Sequence, residues 1–261
     1  MNFSYLSVES ADTIAFITLK RPECGNALSL KLMAEIVQAC ESFKYDTKTR
    51  VIIFRGEGRH FCVGADLKDP DRKSRDEGVD LLQRNRSTQQ GRDLIEAILN
   101  LNQISIAAVQ GAAAGGGACI ATACDFRIGT SDCSIGYPEV KLGMNLSWGA
   151  LPLCYNLIGP AAAKRMVIGG ELESGEDLYE WGFLDELVAA ADLAGAVKKM
   201  AAFYGSRPPL AAQMIKRSLN AIQMASSSAV MHMDGDQFTL ATESEDYHQQ
   251  REAFLHRNRD K

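Results

Sequence analysis

The chain has 261 residues, 46% of them hydrophobic, and a formal net charge of −5 at pH 7. That length suits one large domain or a domain with an appendage, with enough apolar residues for a sizeable core, and the acidic balance gives nucleic acid no general electrostatic footprint. Seven Cys are scattered without a Cys-x-x-Cys pair and the four His are dispersed, which argues against a disulfide framework and a metal cluster and for reduced thiols in the cytoplasm.

The N-terminus has no basic region followed by an apolar stretch, and no apolar run reaches membrane-spanning length. A soluble chain is expected. Thr13 to Leu19 reads as a strand, with Ile14, Phe16 and Thr18 on one face, broken by Pro22 and Gly25. Ser29 can cap a helix whose Leu30, Met33, Ile36, Val37 and Cys40 keep helical spacing. Val51 to Phe54 is a short buried strand. Lys68 to Asp93 is charged and interrupted by Pro70 and Gly78, which predicts a mobile loop leading into a helix with Leu94, Ile95, Ile98 and Leu99 on its apolar face.

Ile104 to Asp125 is the most informative stretch. It reads as a buried strand to Val109, a small-residue turn at Gly115-Gly116-Gly117, and a helix of small apolar residues. No side chain from Ala112 to Gly117 exceeds a methyl group, so a ligand can approach the backbone N–H groups closely. A helix start concentrates unpaired donors and partial positive charge, which suits an oxygen turning negative during a reaction. Close helix–strand packing is the competing reading of the glycines. No Gly-Lys-Ser/Thr follows, so this is no P-loop. Ile120 stands where a dinucleotide fingerprint needs its third small residue.

Phe126 to Ile128 is another strand, and short strands alternating with helices argue α/β. Ser174 to Asp177 forms a capping box for a short helix ending near Gly182. Pro208-Pro209 starts a further helix anchored by Leu210, Met214 and Leu219. A last amphipathic segment, Tyr247 to Arg257, is highly charged.

Five segments in order carry a resemblance. They are Lys20-Arg-Pro-Glu-Cys-Gly-Asn-Ala-Leu28, Phe61-Cys-Val-Gly-Ala-Asp-Leu67, Val109-Gln-Gly111 through Gly117, Cys124-Asp125, and Pro138-Glu-Val-Lys-Leu-Gly143. Together they are similar to the crotonase (enoyl-CoA hydratase/isomerase) superfamily, over nearly the whole chain. The resemblance implies an α/β fold, a crotonase-like spiral of ββα turns over residues 1–200. A helical C-terminal region, 201–261, would serve trimer assembly, giving a homotrimer or homohexamer. The substrate implied is an acyl-CoA thioester, with coenzyme A part of the substrate and no separate cofactor, no metal, no nucleic acid and no membrane partner.

Residue by residue, the backbone N–H groups of Ala65 and Gly116 match the family's oxyanion hole, and Glu139 matches its more widely retained catalytic carboxylate. Apolar or small neighbours (Ile135, Gly136, Val140, Leu142) would raise the Glu139 pKa toward neutrality, although a lone Glu after Pro138 is ordinarily a solvated turn residue. Ala27, Leu28, Gly64, Asp66 and Leu67 match positions that contact the CoA thioester, with Asp66 otherwise a simple turn cap. Lys20, Arg21 and Lys68 suit CoA phosphates, or are solvated charges. The family's C-terminal pattern is altered to Gln249-Gln250 and His256-Arg257-Asn258.

Cys119 is the main departure. Hydratases of the family carry a second Glu two residues after the last glycine of the turn, and a thiol is a poor substitute. Leu146 and Trp148 also replace small residues and would reshape the acyl pocket. A single Glu can move a proton between two carbons of an enolate, so the reading is a single-Glu enoyl-CoA isomerase. Hydration and then decarboxylation are the alternatives, and a non-catalytic CoA-thioester-binding scaffold is the different class. An RNA-binding branch is disfavoured, because Ser29 to Lys44 carries only Lys31 and Lys44, opposed by Glu35 and Glu41.

Overall fold

The strongest apolar runs assemble side by side into the middle of a twisted sheet. A computed structural model describes residues 3–71, 79–225 and 227–257. Strands β1 (Leu6–Ala11), β2 (Ile14–Leu19), β3 (Val51–Gly56), β4 (Ile104–Val109), β6 (Phe126–Thr130) and β9 (Glu186–Val188) form one sheet in that order. β1 pairs antiparallel with β2, and all the other pairs are parallel. Strands β5 (Ala112–Ala114), β7 (Ser134–Gly136) and β8 (Leu172–Ser174) form a second, smaller sheet. The chain passes from β4 to β5 and from β6 to β7 within a few residues, so each of these two turns adds a strand to both sheets.

Parallel strands covered on both faces read as continuous apolar runs. Ile17, Leu19, Ile52, Phe54, Ala107 and Val109 point to the main core, with α1 (Leu30–Ser42), α3 (Gln89–Leu99) and α4 (Gly116–Ala123). The alternate residues Val51, Ile53, Ile106, Ala108 and Ile128 point the other way, onto Val197, Met200 and Ala201 of α7 (Leu193–Gly205). Ser29 caps α1, accepting from the Leu32 N–H at 3.2 Å. Ser174 likewise accepts from the Asp177 N–H and starts α6 (Gly175–Glu180), after which Gly182 is left-handed.

The structure departs from the sequence reading in three places. Ala112–Ala114, unassigned between the expected strand and turn, is a strand that pairs with β7 and, through Ala113, with Cys62, and of the expected glycine turn Gly116 and Gly117 already belong to α4. The helix expected near Leu94 begins earlier. Asp80 caps α2 (Leu81–Ser87), accepting from the Gln83 N–H, and α3 follows from Gln89. The remaining part of that expected loop, 72–78, lies outside the described residues, as does Asn258. Helix α5 (Ala150–Gly169) is kinked at Gly159-Pro160, where Gly159 has φ 75° and ψ 171°.

The third departure is α8 (Pro209–Ala225). Its expected anchors Leu210, Met214 and Leu219 are 71%, 53% and 60% exposed, and its buried residue is Lys216. The Lys216 ammonium lies 2.7 Å from Asp125 Oδ2 and donates to the Gln103 carbonyl. Asp125 also accepts from the Ser105 N–H and hydroxyl. Helices α9 (Ser228–Met231), α10 (Asp234–Thr242) and α11 (Glu245–Arg257) complete the chain. Among the described residues no helix is long and apolar enough to cross a membrane.

Candidate active site

Three consecutive glycines each make room for a different neighbour. Gly115 sits at φ 53° and ψ −118°, before the first turn of α4, and its N–H donates to the Gly136 carbonyl of β7. A Cβ there would lie 2.8 Å from Glu139 Oε1. A Cβ on Gly116 would meet the Trp148 ring at 2.5 Å and Leu28 at 2.8 Å, and one on Gly117 would meet the Cys62 carbonyl at 2.1 Å. The bareness of this segment therefore brings a carboxylate, an indole and a backbone loop against one helix start.

The loop holding Cys62 to Asp66 is fixed from two sides. Cys62 pairs with β5, donating to the Ala112 carbonyl and accepting from Ala114. Leu28 donates to the Gly64 carbonyl and accepts from the Asp66 N–H. In this parallel bridge Leu28 makes both bonds, so the N–H of Ala65, its bridge partner, points away from it. Gly64, at φ 97°, approaches so closely that a Cβ would lie 2.7 Å from the Ala114 carbonyl oxygen and 3.7 Å from the Gly116 nitrogen. Among the described residues, neither the Ala65 nor the Gly116 N–H donates to a backbone carbonyl. For Gly116 this follows from its place at the first position of a helix.

Glu139 stands on a 3-10 helix, Pro138–Leu142, with proline at its start and left-handed Gly143 at its end. A Cβ on Gly143 would lie 2.9 Å from the Tyr247 nitrogen, so α11 packs onto this turn. Glu139 Oε2 is buried and has no hydrogen-bond partner. Burial without a compensating cation pushes its carboxyl from 4.5 up to about 7. Tyr137, fully buried beside it in sequence, pairs its hydroxyl with that of Thr122 on α4.

Cys119 lies one turn into α4 and is buried. Desolvation first, and then the Glu139 charge, hold its thiol well above the ordinary range. At neutral pH it is an uncharged filler near the carboxylate. Leu146 is buried, and Trp148 takes a left-handed φ of 63°, unusual for so large a residue.

Thus Leu28, Gly64, Ala65, Gly116, Cys119, Glu139 and Trp148 converge, with Leu146 two residues from the indole. Ala27 is buried, and its carbonyl accepts from the Arg21 guanidinium. Asp66 lies 2.9 Å from that same guanidinium and accepts from the Lys68 N–H, so its carboxylate fastens the loop. Leu67 is half-buried in the turn beyond, and Arg21 is a strut, while Lys20 and Lys68 are exposed.

Three participants were not anticipated. Asp69, buried, accepts from the Leu30 N–H and ties the loop to the start of α1. Gly91 faces the Trp148 indole, and Asp234 accepts from the Gly149 N–H. Gly91 fell within the stretch read as a loop, so it did not stand out as a glycine inside a helix. The other two are carboxylates far in sequence from what they hold, and carry no local signal. No cluster of metal-ligating side chains occurs among the described residues.

Comparison with known proteins agrees with this architecture. The family model described as enoyl-CoA hydratase/isomerase matches residues 9–261. A probable enoyl-CoA hydratase of Bacillus subtilis (strain 168) is 30% identical over 262 residues, covering 99% of this chain and 98% of the relative. A 1,2-epoxyphenylacetyl-CoA isomerase of Escherichia coli (strain K12) is 27% identical, covering 98% and 96%. The crystal structure of an enoyl-CoA hydratase from Mycobacterium avium subsp. paratuberculosis K-10 superposes with a TM-score of 0.86 at 25% identity, covering 98% of this chain and 97% of that one.

Proposed function

We propose a reaction from one premise: this chain belongs to the enoyl-CoA hydratase/isomerase family. Its substrate on this reading is a 3-enoyl-CoA thioester, which it converts to the 2-enoyl isomer. Coenzyme A is part of the substrate, and no further cofactor takes part. The thioester oxygen accepts from the N–H groups of Ala65 and Gly116. Glu139 takes a proton from C2, the electrons pass into the carbonyl, and a dienolate forms. The same carboxyl returns the proton at C4. Each preorganised donor lowers such a barrier by about 3–4 kcal/mol. Ala27, Leu28, Gly64, Asp66 and Leu67 border the thioester, and Cys119, Leu146 and Trp148 border the acyl group.

One observation carries the choice of reaction. Glu139 Oε2 is an unpartnered buried oxygen, and the residue where a second carboxylate would stand is a neutral thiol, Cys119. Proton transfer between two carbons needs one such group, with a pKa near the working pH. Addition of water needs that water held and polarised as well. Hydration is the second reading, favoured by the hydratase names that several relatives carry.

The test is a comparison of rates on 3-enoyl and 2-enoyl thioesters of equal length. Isomerisation is expected to exceed hydration, and Cys119→Glu is expected to raise hydration relative to isomerisation. Efficient hydration by the wild type would overturn the isomerase reading. For assembly we propose a homotrimer or a dimer of trimers, in which the exposed apolar face of α8 is covered by another copy; closed symmetric assemblies cover such faces.

A further inference from the structure

The Trp148 indole fills a slot between two glycines. A Cβ on Gly116 would lie 2.5 Å from its six-membered ring, and a Cβ on Gly91 of α3 would lie 2.0 Å from the same side chain. The indole is thus flush with the backbone of the helix start on one side and of α3 on the other. It also borders a cavity of about 50 Å³, together with Thr88, Arg92, Ser147 and Asp234. None of Gly115, Gly116 and Gly117 lines that cavity.

The ring is held in place by its own backbone. Trp148 and Gly149 are both left-handed, with φ of 63° and 70°. For a non-glycine residue that conformation is strained, so the surroundings must impose it. They do so from α9 and α10. Asp234, only 5% exposed, accepts from the Gly149 N–H at 2.7 Å, and the Met231 methyl sits 2.2 Å from where a Gly149 Cβ would be.

We propose that Trp148, positioned by Asp234, is the wall that ends the acyl channel and makes this enzyme selective for short acyl groups. The claim rests on the reading that the thioester oxygen sits at the Ala65 and Gly116 N–H groups. An acyl chain leaving that point meets a fixed indole. A longer chain has no room unless the ring leaves and opens the way to the cavity behind it, whose lining includes the polar Arg92 and Asp234. A steric limit of this kind discriminates more sharply than the gain of each added methylene in an open apolar groove.

Equilibrium titration with saturated butyryl-CoA and decanoyl-CoA tests this independently of any reaction. Wild type is expected to bind butyryl-CoA at least about tenfold more tightly than decanoyl-CoA. Trp148→Ala is expected to shift that ratio at least about tenfold toward decanoyl-CoA, and Trp148→Phe by less. Asp234→Ala is expected to shift it in the same direction, because the turn is released; a merely structural role would lower both affinities together. Equal binding of the two thioesters by wild type overturns the wall even if no variant folds. An unchanged ratio in a folded Trp148→Ala protein overturns it as well. If neither thioester binds wild type, the acyl-CoA reading itself falls.

Discussion

Helices α4 and α8 bury themselves in opposite ways. Every residue of α4 is buried, and none is charged. It has no solvent face and serves as a scaffold for the groups that crowd its first turn. Helix α8 turns Leu210, Met214, Ile215, Leu219 and Ile222 to solvent and sends Lys216 inward. Met224, near the end of α8, packs against the main core, while these five face away from it. That helix attaches by polar bonds: Lys216 to Asp125 and the Gln103 carbonyl, and Asn220 to the Leu99 carbonyl. The candidate site is built on the element with no freedom, and the element with an unmatched apolar face lies away from it.

The largest expected effect lies on the α4 side. Glu139→Gln keeps the shape of the residue facing Gly115 but cannot carry a proton. Turnover should fall on the order of 10²–10⁴-fold while thioester affinity changes little. Single-turnover rates alongside equilibrium binding check this, and wild-type turnover in the variant would remove Glu139 from the mechanism.

The attachment of α8 comes next. Lys216→Ala leaves the Asp125 carboxylate without its cation, and removing one partner of a buried pair costs about 3–5 kcal/mol. Denaturant unfolding should show that loss. The double variant with Asp125→Asn should recover part of it, because no unpaired charge remains. Absence of any recovery would mean that Lys216 acts through its methylene stem.

A third expectation follows from the Glu139 carboxyl, held at about 7 against an ordinary 4.5. The folded chain binds this proton more tightly than the unfolded chain does. The associated stability is complete below about pH 4.5 and is lost as pH rises through about 7, in total at most about 3 kcal/mol. Glu139→Gln should therefore be more stable than wild type above pH 7, and the two should converge below pH 4.5. In wild type the rate should rise with pH along a limb near 7, as the base form appears. Parallel melting curves for the two proteins at all pH values would contradict the assignment.

The smallest expected effect concerns the outer face of α8. Leu219→Lys should alter the stability of the isolated chain within about 0.5 kcal/mol, because the side chain buries little there. If that face meets another copy, the same change should lower the assembly mass in light scattering. An unchanged mass would place the subunit contact elsewhere.

Strands β2, β3, β4 and β6 were readable as apolar runs and helix α1 by its periodicity, and β4 and the Ser29 cap fall where the pattern puts them, whereas the edge strands β1 and β9 were not read. Strand β5 was not, because three alanines have no strand preference of their own; its pairing to β7 and Cys62 makes it a strand. Periodicity assigned α8 an apolar face but could not say what that face meets. Helix α5 was not read from the sequence at all, because Gly159-Pro160 breaks its pattern in mid-course and stands in the structure as a kink. At the site, no local pattern links positions 65, 116 and 139, which are far apart in the chain. Family resemblance alone linked them, and it could not foresee that Asp66 and Arg21 would bind each other.

The order of synthesis matters for this arrangement. Glu139 emerges from the ribosome near the middle of the chain, but the turn carrying it is covered by α11, whose Tyr247 backbone lies against Gly143. Asp234, which holds the Trp148–Gly149 turn, also arrives late. A nascent chain can expose its sheet strands and the glycine segment while the Gly143 end of that turn is still uncovered. Translation that stops before the last helices would thus yield a chain without the Asp234 tie at Gly149 and without the cover over Gly143. A stop codon before position 234 removes both, so damage near the end of the message reaches a turn encoded near its middle.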